Sequence, residues 1–140
     1  FGRHEDPSRL LPYLVRRLSR GEEAELSGGD LVRDFNDVDD MARAFLLALR
    51  VPDADCGRVY HVGSGRATAV REFAGMVADV TGKRELIRFG DGEAPDRHMD
   101  RLVADPGLAR ERLGWSVPAP LEARVRRAAE WWLERDAGGA

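Results

Sequence analysis

The sequence predicts an α/β fold in which a short mixed sheet is covered by four or five helices. Runs with strand-like composition lie near residues 24–27, 32–37, 58–62 and 85–89. Apolar residues at helical spacing occupy the stretches between and after these runs. Because helices separate most of the strands, we expect parallel pairing to dominate. The length of 140 residues, 43% of them hydrophobic, fits one compact domain.

The first two helices have start and stop signals in the sequence. Asp6 is a suitable N-cap residue, with Pro7 at the first helical position. Asp39 or Asp40 is predicted to cap the second helix, which has to end before Pro52. The first helix has one apolar stripe, made by Leu10, Leu11, Leu14, Val15 and Leu18.

Three further helices follow in the second half of the chain. The first of them starts at Thr68 or Ala69 and is predicted to end at Gly82, because glycine readily adopts the left-handed conformation of a helix end. A short helix opens near Asp105 and closes at Gly114. The last helix has an apolar stripe of Leu121, Val125, Ala128, Ala129 and Trp132.

Two turns contain glycine pairs. Gly28-Gly29-Asp30 lies between the first two strand-like runs, and this arrangement predicts a hairpin. Gly63-Ser64-Gly65 follows the run at 58–62, which we interpret as a buried strand. The third glycine of a Gly-x-Gly-x-x-Gly pattern is absent, so we interpret this segment as a turn and not as a dinucleotide-binding loop.

Charge and composition exclude several classes of protein. The chain has a single lysine among its 22 basic residues and a net charge of -3, which argues against a nucleic-acid partner. One cysteine, Cys56, excludes an internal disulfide and fits a reducing cytoplasm. No apolar run approaches the roughly 18 residues that cross a bilayer, so no membrane association is expected. Asp37, Asp39 and Asp40 are interpreted as helix-capping residues, and no metal site is predicted.

Four segments contain motifs of one known family, in the same order along the chain. An Arg-Asp-aromatic strand followed by Val-Asp-Asp is the most informative of them. The motifs lie in residues 1–12, 32–44, 60–67 and 101–115, the last of which ends with Leu-Gly-Trp. With these motifs the chain resembles the substrate half of an extended short-chain dehydrogenase/reductase, the NAD-dependent nucleotide-sugar epimerase/dehydratase family.

The resemblance implies a substrate-binding part without the N-terminal Rossmann core of such an enzyme. The folded portion would be residues 1–136, and residues 137–140 would form a flexible tail. NAD or NADP would be bound mainly by the absent N-terminal half. The Tyr-x-x-x-Lys pair of the family cannot exist here, because Lys83 is the single lysine and Asp79 stands four positions before it. We therefore predict no catalytic residue in these 140 residues.

The implied function is to hold a nucleoside diphosphate-sugar for redox chemistry by the absent half, in an epimerase, dehydratase or 4-ketoreductase. Asn36-Asp37 is closer to the 4-ketoreductase pattern and slightly favours that branch. The alternative is a stand-alone, non-catalytic module for sugar-nucleotide binding or assembly. A homodimer would form through the absent half.

The resemblance also implies which residues contact the diphosphate. Arg33 matches the arginine that reaches the diphosphate, and a planar guanidinium suits that role because it donates in bidentate fashion to phosphate oxygens. Its structural alternative is a strand arginine paired with Asp34 or Asp37. Arg9 matches a basic residue that contacts a phosphate, in the first turn of a helix whose dipole favours an anion. The alternative for Arg9 is a solvated surface residue.

Two more segments would contact the rest of the nucleotide. The extended segment from Ala24 to Leu26 matches the one that lies along the base, mainly through backbone groups. The loop containing Arg97, His98 and Arg101 matches a loop that holds the ribose and diphosphate. Family members most often have arginine where Pro95 stands in this chain, so that contact would be lost or moved to Arg97 or Arg101.

Overall fold

The computed structural model describes residues 1–52, 56–90 and 99–137. Five α-helices and five short strands are found in these ranges. In chain order they are α1 (Leu10–Ser19), β1 (Ala24–Leu26), β2 (Val32–Arg33), α2 (Val38–Ala48), β3 (Thr68–Ala69), α3 (Val70–Thr81), β4 (Ile87–Phe89), β5 (Arg101–Leu102), α4 (Gly107–Leu113) and α5 (Leu121–Ala137). The predicted mixed α/β fold with four to five helices is confirmed.

The strands form two small sheets. One contains the parallel pair β1 and β4, with Ala24 opposite Ile87. The other has the order β3-β2-β5, in which β2 is antiparallel to β3 and parallel to β5. Parallel pairing dominates among the described strands, as predicted. Strands β3 and β5, of two residues each, were not predicted.

The hairpin predicted around Gly28-Gly29-Asp30 is wrong, because β1 and β2 belong to different sheets. The carbonyl groups of this turn bind the start of α3 instead. The Arg71 amide donates to the Gly29 carbonyl at 2.9 Å, and the Val70 amide donates to the Leu31 carbonyl at 2.9 Å. These bonds direct the chain away from β1 and toward β3.

The strand predicted at 58–62 is also wrong. Residues 58–62 belong to neither of the two sheets found in the described part of the chain, and Val59 is 78% exposed. A β-strand is stabilised by hydrogen bonds to a neighbouring strand, so strand-like composition alone does not produce one. The strand predicted at 32–37 is shortened to β2, and the one predicted at 85–89 begins as a 3₁₀ turn over Arg84–Leu86.

Helix ends were predicted better than helix starts. Gly82 and Gly114 follow α3 and α4 with φ of 67° and 64°, as expected for glycine at a helix end. By contrast, α1 begins after Arg9 and not after Asp6, whose carboxylate accepts the Ser8 amide and hydroxyl at 2.8 and 2.7 Å. The cap of α2 is Asp37, which accepts the amide two residues later. Helix α5 reaches Ala137, one residue into the predicted tail, and residues 138–140 lie outside the described ranges.

The main core lies between α1, α3 and α5. Phe73 and Leu14 are fully buried at its centre. Burying one such side chain contributes roughly 1.5–3 kcal/mol to folding. A second cluster joins α2 to α4 around Trp115, whose indole N–H donates to the Gly63 carbonyl at 2.7 Å. The main core fixes the N-terminus of α1 against the start of α3, where the candidate site lies.

Candidate functional site

A cavity of about 470 Å³ opens at the N-terminal end of α1. It brings together three separate parts of the chain. These are the N-terminal segment with the first residues of α1, the end of β2 with Phe35, and the start of α3. Both arginines that the sequence analysis assigned to phosphates lie on its wall. The lining residues include Phe1, Glu5, Ser8, Arg9, Arg33, Phe35 and Phe73.

Aromatic rings make the floor of this cavity. Phe35 stacks on the fully buried Phe73 with ring centroids 3.9 Å apart and an interplanar angle of 14°. Phe1 meets Phe73 edge-on at 5.2 Å. The cavity therefore combines a fixed apolar floor with charged groups on its walls, the composition typical of a small-molecule site.

Arg33 is held by backbone carbonyl groups. Its Nη1 donates to the Val32 carbonyl at 2.9 Å and to the Met99 carbonyl at 3.0 Å. Arg33 forms no ion pair within the described part of the chain, so the alternative of a strand arginine paired with Asp34 or Asp37 is wrong. The bonds through Nη1 orient the guanidinium, and no hydrogen bond within the described ranges involves Nε or Nη2, which can donate to an anion.

Asp34 has a different role from its neighbour. Its Oδ1 accepts the Ser64 amide at 3.2 Å and the Ser64 hydroxyl at 2.5 Å. Its Oδ2 accepts the Gly65 amide at 2.9 Å and the Ala104 amide at 3.3 Å. A single carboxylate therefore joins the end of β2 to the Gly-Ser-Gly turn and to the segment after β5.

The same contacts decide what the Gly63-Ser64-Gly65 turn can bind. A dinucleotide loop needs free amides and open space above its glycines. Here two of the amides already donate to Asp34, and a Cβ at Gly63 would lie 2.5 Å from both the Ala104 Cβ and the Asp34 Oδ2. The turn is filled by protein and does not fit the phosphates of NAD or NADP.

Arg9 stands at the N-cap position of α1, with an exposed side chain. Its guanidinium has no hydrogen-bond or ion-pair partner among residues 1–52, 56–90 and 99–137. Hydrogen bonds from Ser8 lower the pKa of the nearby Asp6, and the charge of Arg9 acts in the same direction. The N-terminus of α1 has partial positive charge, so Arg9 and the helix both favour an anion in the cavity.

Ala24 and Leu26 lie apart from that cavity, in β1. Ala24 is fully buried in the core, so only its backbone could reach a ligand. Leu26 lines a second cavity of about 490 Å³ at the carboxyl ends of β1 and β4, and its carbonyl accepts the Gly90 amide at 3.0 Å. On the other edge of β1, the Tyr13 hydroxyl accepts the Glu25 amide at 3.2 Å and donates to the Glu25 carbonyl at 3.3 Å.

The third predicted contact region is only partly described. Arg97 and His98 lie outside the described residues. Arg101 is exposed in β5, opposite Val32 in the register, while Leu102 lies opposite Arg33. Side chains alternate between the two faces of a strand, so Arg101 is on the face opposite to that of Arg33. The structure does not bring Arg101 into the cavity that contains the other two arginines.

The acidic residues at the start of α2 connect this helix to α5. Asp37 pairs with Arg127 at 2.8 Å, and this hydrogen bond raises the pKa of the Arg127 guanidinium. Asp40 pairs with Arg124 at 2.8 Å, where both side chains are about 95% buried.

No group of three or more potential metal ligands occurs in the part of the chain that the structure describes. Within the same ranges, no helix is long and apolar enough to cross a membrane.

Sequence reasoning missed several residues that line the cavity. Glu5 and Ser8 lie in the motif segment 1–12, from which only Arg9 was assigned to a site, and Phe73 lies outside the motifs. For the segment that contains Phe73, the sequence predicted only a helix. A run of Glu5, Ser8 and Arg9 just before a helix is a weak signal, because polar residues are common at helix starts.

Comparisons with known proteins agree with the motifs. Residues 1–63 match the family model described as the NAD dependent epimerase/dehydratase family. A UDP-glucose 4-epimerase of Streptomyces lividans is 36% identical over 140 residues, covering 91% of this chain and 40% of that protein. The chain spans about 40% of the length of the curated relatives that it matches first.

Solved structures give the same result. The crystal structure of UDP-glucose 4-epimerase from Thermotoga maritima with UDP-glucose has 29% identity and a TM-score of 0.83, covering 98% of this chain and 43% of that one. RMD from Pseudomonas aeruginosa, complexed with NADPH, has 25% identity and a TM-score of 0.81, covering 96% and 46%. Fold and motifs define the class of extended short-chain dehydrogenase/reductases. Within this class, residues 1–63 match the NAD-dependent epimerase/dehydratase family, and the chain is similar to members of that family along nearly all of its length.

Proposed function

We propose that this chain is the substrate-binding portion of an NAD(P)-dependent nucleotide-sugar epimerase, dehydratase or 4-ketoreductase. The observation that carries the proposal is the cavity at the N-terminus of α1, whose wall includes both Arg9 and Arg33. The two arginines are 24 positions apart in the sequence, and both match phosphate-contacting residues of the family that the chain resembles. In this proposal they bind the diphosphate of a nucleoside diphosphate-sugar.

The charges of the cavity support an anionic ligand. The Arg33 side chain is oriented by the Val32 and Met99 carbonyl groups. It would therefore lose less side-chain entropy on binding a phosphate than a freely rotating arginine would. Arg9 lines this cavity at the N-terminus of α1, where the partial positive charge of the helix also favours an anion. A volume of about 470 Å³ lies within the range of small-molecule sites and fits part of a nucleotide sugar.

The rest of the nucleotide and the cofactor belong to the same proposal. The backbone of Ala24 to Leu26 would lie along the base, and Arg97 and His98 would contact the ribose and diphosphate. Arg101 lies on the other face of β5 and would stay outside the α1 cavity. Neither NAD nor NADP fits the Gly63 turn, so the cofactor would be held by protein beyond these 140 residues. That protein would also form the homodimer. A cytoplasmic location fits the single cysteine.

Calorimetric titration of the 140-residue chain tests the diphosphate assignment. UDP-glucose, UDP, uridine and glucose would be titrated in turn, so that ligands with and without the diphosphate are compared. We expect binding by UDP-glucose and UDP and none by uridine or glucose at the same concentrations, because the arginines act on phosphate. Equal binding of uridine and UDP would contradict the proposal.

A further inference from the structure

We propose that Glu5 accepts hydrogen bonds from hydroxyl groups of the ligand, so that the α1 cavity selects a sugar-bearing diphosphate over a bare one. This inference rests on the proposed function, since it assumes that the arginines of the cavity bind the diphosphate. It assigns to Glu5 a role in specificity that the sequence motifs do not indicate.

Glu5 lies on the wall of the cavity together with Arg9 and Arg33, and its side chain is half-buried. Its one hydrogen bond within the described ranges is from the Gly2 amide to Oε2, at the long distance of 3.4 Å. In those ranges it forms no ion pair with either arginine, although all three side chains face the same space. The carboxylate therefore keeps most of its acceptor capacity for a ligand.

A carboxylate in an anion site needs an explanation. Two like charges about 4 Å apart repel by roughly 1–4 kcal/mol near a protein surface, so Glu5 beside a phosphate would weaken binding. With hydroxyl groups the interaction becomes favourable, because an ionised carboxylate is purely an acceptor and accepts hydrogen bonds from neighbouring hydroxyls of a sugar. The charge of Glu5 thus favours a ligand that has hydroxyls next to its phosphates and disfavours bare polyphosphate.

The floor of the cavity fits the same ligand. Phe35 and Phe1 present ring surface beside the charged wall, held by their contacts with Phe73. A pyranose ring has apolar C–H groups on its faces and hydroxyls around its edge. Aromatic carbon on the floor and a carboxylate on the wall complement these two features, while the arginines complement the diphosphate.

The test compares two ligands that share phosphates but differ in hydroxyls. Inorganic pyrophosphate and UDP-glucose would be titrated calorimetrically into the 140-residue chain and into its Glu5→Gln and Glu5→Ala variants. We expect Glu5→Gln to weaken UDP-glucose about tenfold, since a hydrogen bond to a charged group becomes one to a neutral group. Pyrophosphate affinity should be unchanged or tighter. The Glu5→Ala variant should weaken UDP-glucose further.

Glu130→Gln is the matched control, because it removes one negative charge from an exposed position on α5 outside the cavity. Melting temperatures of all variants show whether each one is folded. Unchanged UDP-glucose affinity in both Glu5 variants, or equal weakening of both ligands, would overturn the inference. The proposed function would survive those results if Arg33→Ala still weakens both ligands. If the parent chain binds neither ligand, the proposed function itself fails, and the role of Glu5 fails with it.

Discussion

The carboxylate of Asp34 accepts hydrogen bonds from both the amide and the hydroxyl of Ser64, 30 positions further along the chain. Its second oxygen accepts the amides of Gly65 and Ala104. The Arg-Asp pair at 33–34 thus contains one residue that faces the cavity and one that fixes the backbone around it. Asp34 holds the end of β2 in place and thereby the segment from which the Arg33 side chain projects.

Replacing Asp34 by asparagine should therefore lower the stability of the chain. The amide group of asparagine is a donor, and it would face the backbone N–H donors of Gly65 and Ala104. We expect a loss of about 1–3 kcal/mol in the free energy of unfolding, measured by urea denaturation. Asp30→Asn is the control, because the Asp30 side chain is 89% exposed and its one ion pair within the described part of the chain is with Arg71. Equal free energies of unfolding for the two variants would show that the hydrogen bonds of Asp34 do not stabilise the fold.

The buried pair of Asp40 and Arg124 gives a second stability prediction. Both side chains are about 95% buried, and they join α2 to α5. Asp40→Ala leaves a buried guanidinium without its partner, which should cost roughly 3–5 kcal/mol in urea denaturation. Replacing both residues, Asp40→Leu with Arg124→Met, should recover most of this loss. Arg126→Ala, at an exposed position of the same helix, should change stability by no more than about 0.5 kcal/mol.

A third prediction is that the 140-residue chain transfers no hydride by itself. The sequence has no Tyr-x-x-x-Lys pair, and the Gly63 turn gives its amides to Asp34 and not to a phosphate. Nicotinamide absorbance should stay constant when the chain is mixed with UDP-glucose and either NAD or NADPH. Turnover above a buffer blank would show that the chain contains chemistry that neither its motifs nor its described structure indicates.

Features that depend on a few neighbouring residues were predictable from the sequence. Gly82 and Gly114 end their helices because the left-handed conformation is a local property of glycine. The apolar stripes of α1 and α5 were also predictable, because helical spacing of apolar residues is a local property of the sequence. The starts of α1 and α2 were less predictable. Helix α1 begins after Arg9, which makes no side-chain cap hydrogen bond, and at α2 three aspartates lie near one capping position.

Features that depend on distant partners were not predictable. The predicted hairpin between β1 and β2 is wrong because β1 pairs with β4 and β2 pairs with β3 and β5, all of which lie much later in the chain. The motif located Arg33, but Glu5 and Phe73 join the cavity only after three segments have folded together. The sequence also could not show that Asp34 binds Ser64, because that contact is set by the tertiary approach of two loops.

The contribution of Arg9 should be smaller than that of Arg33. Its side chain is exposed, and no neighbour among the described residues orients it. An exposed charge is screened by solvent, so we expect Arg9→Ala to weaken UDP binding only about two- to fivefold. Raising the salt concentration should reduce this difference further. A larger effect than that of Arg33→Ala would reverse the order of importance that the structure gives the two arginines.

Arg33→Ala is the most direct test of the site. A charge-assisted bidentate contact contributes roughly 1.5–3 kcal/mol, so the dissociation constant for UDP should rise about ten- to hundredfold in calorimetric titration. Arg33→Lys should recover only part of the loss, because lysine supplies the charge without the planar fork. Arg126→Ala removes one positive charge from an exposed surface and should leave the constant unchanged. Because Arg33 also donates to the Met99 carbonyl, melting temperatures are needed to separate binding from folding. A folded Arg33→Ala chain with an unchanged dissociation constant would remove Arg33 from the site.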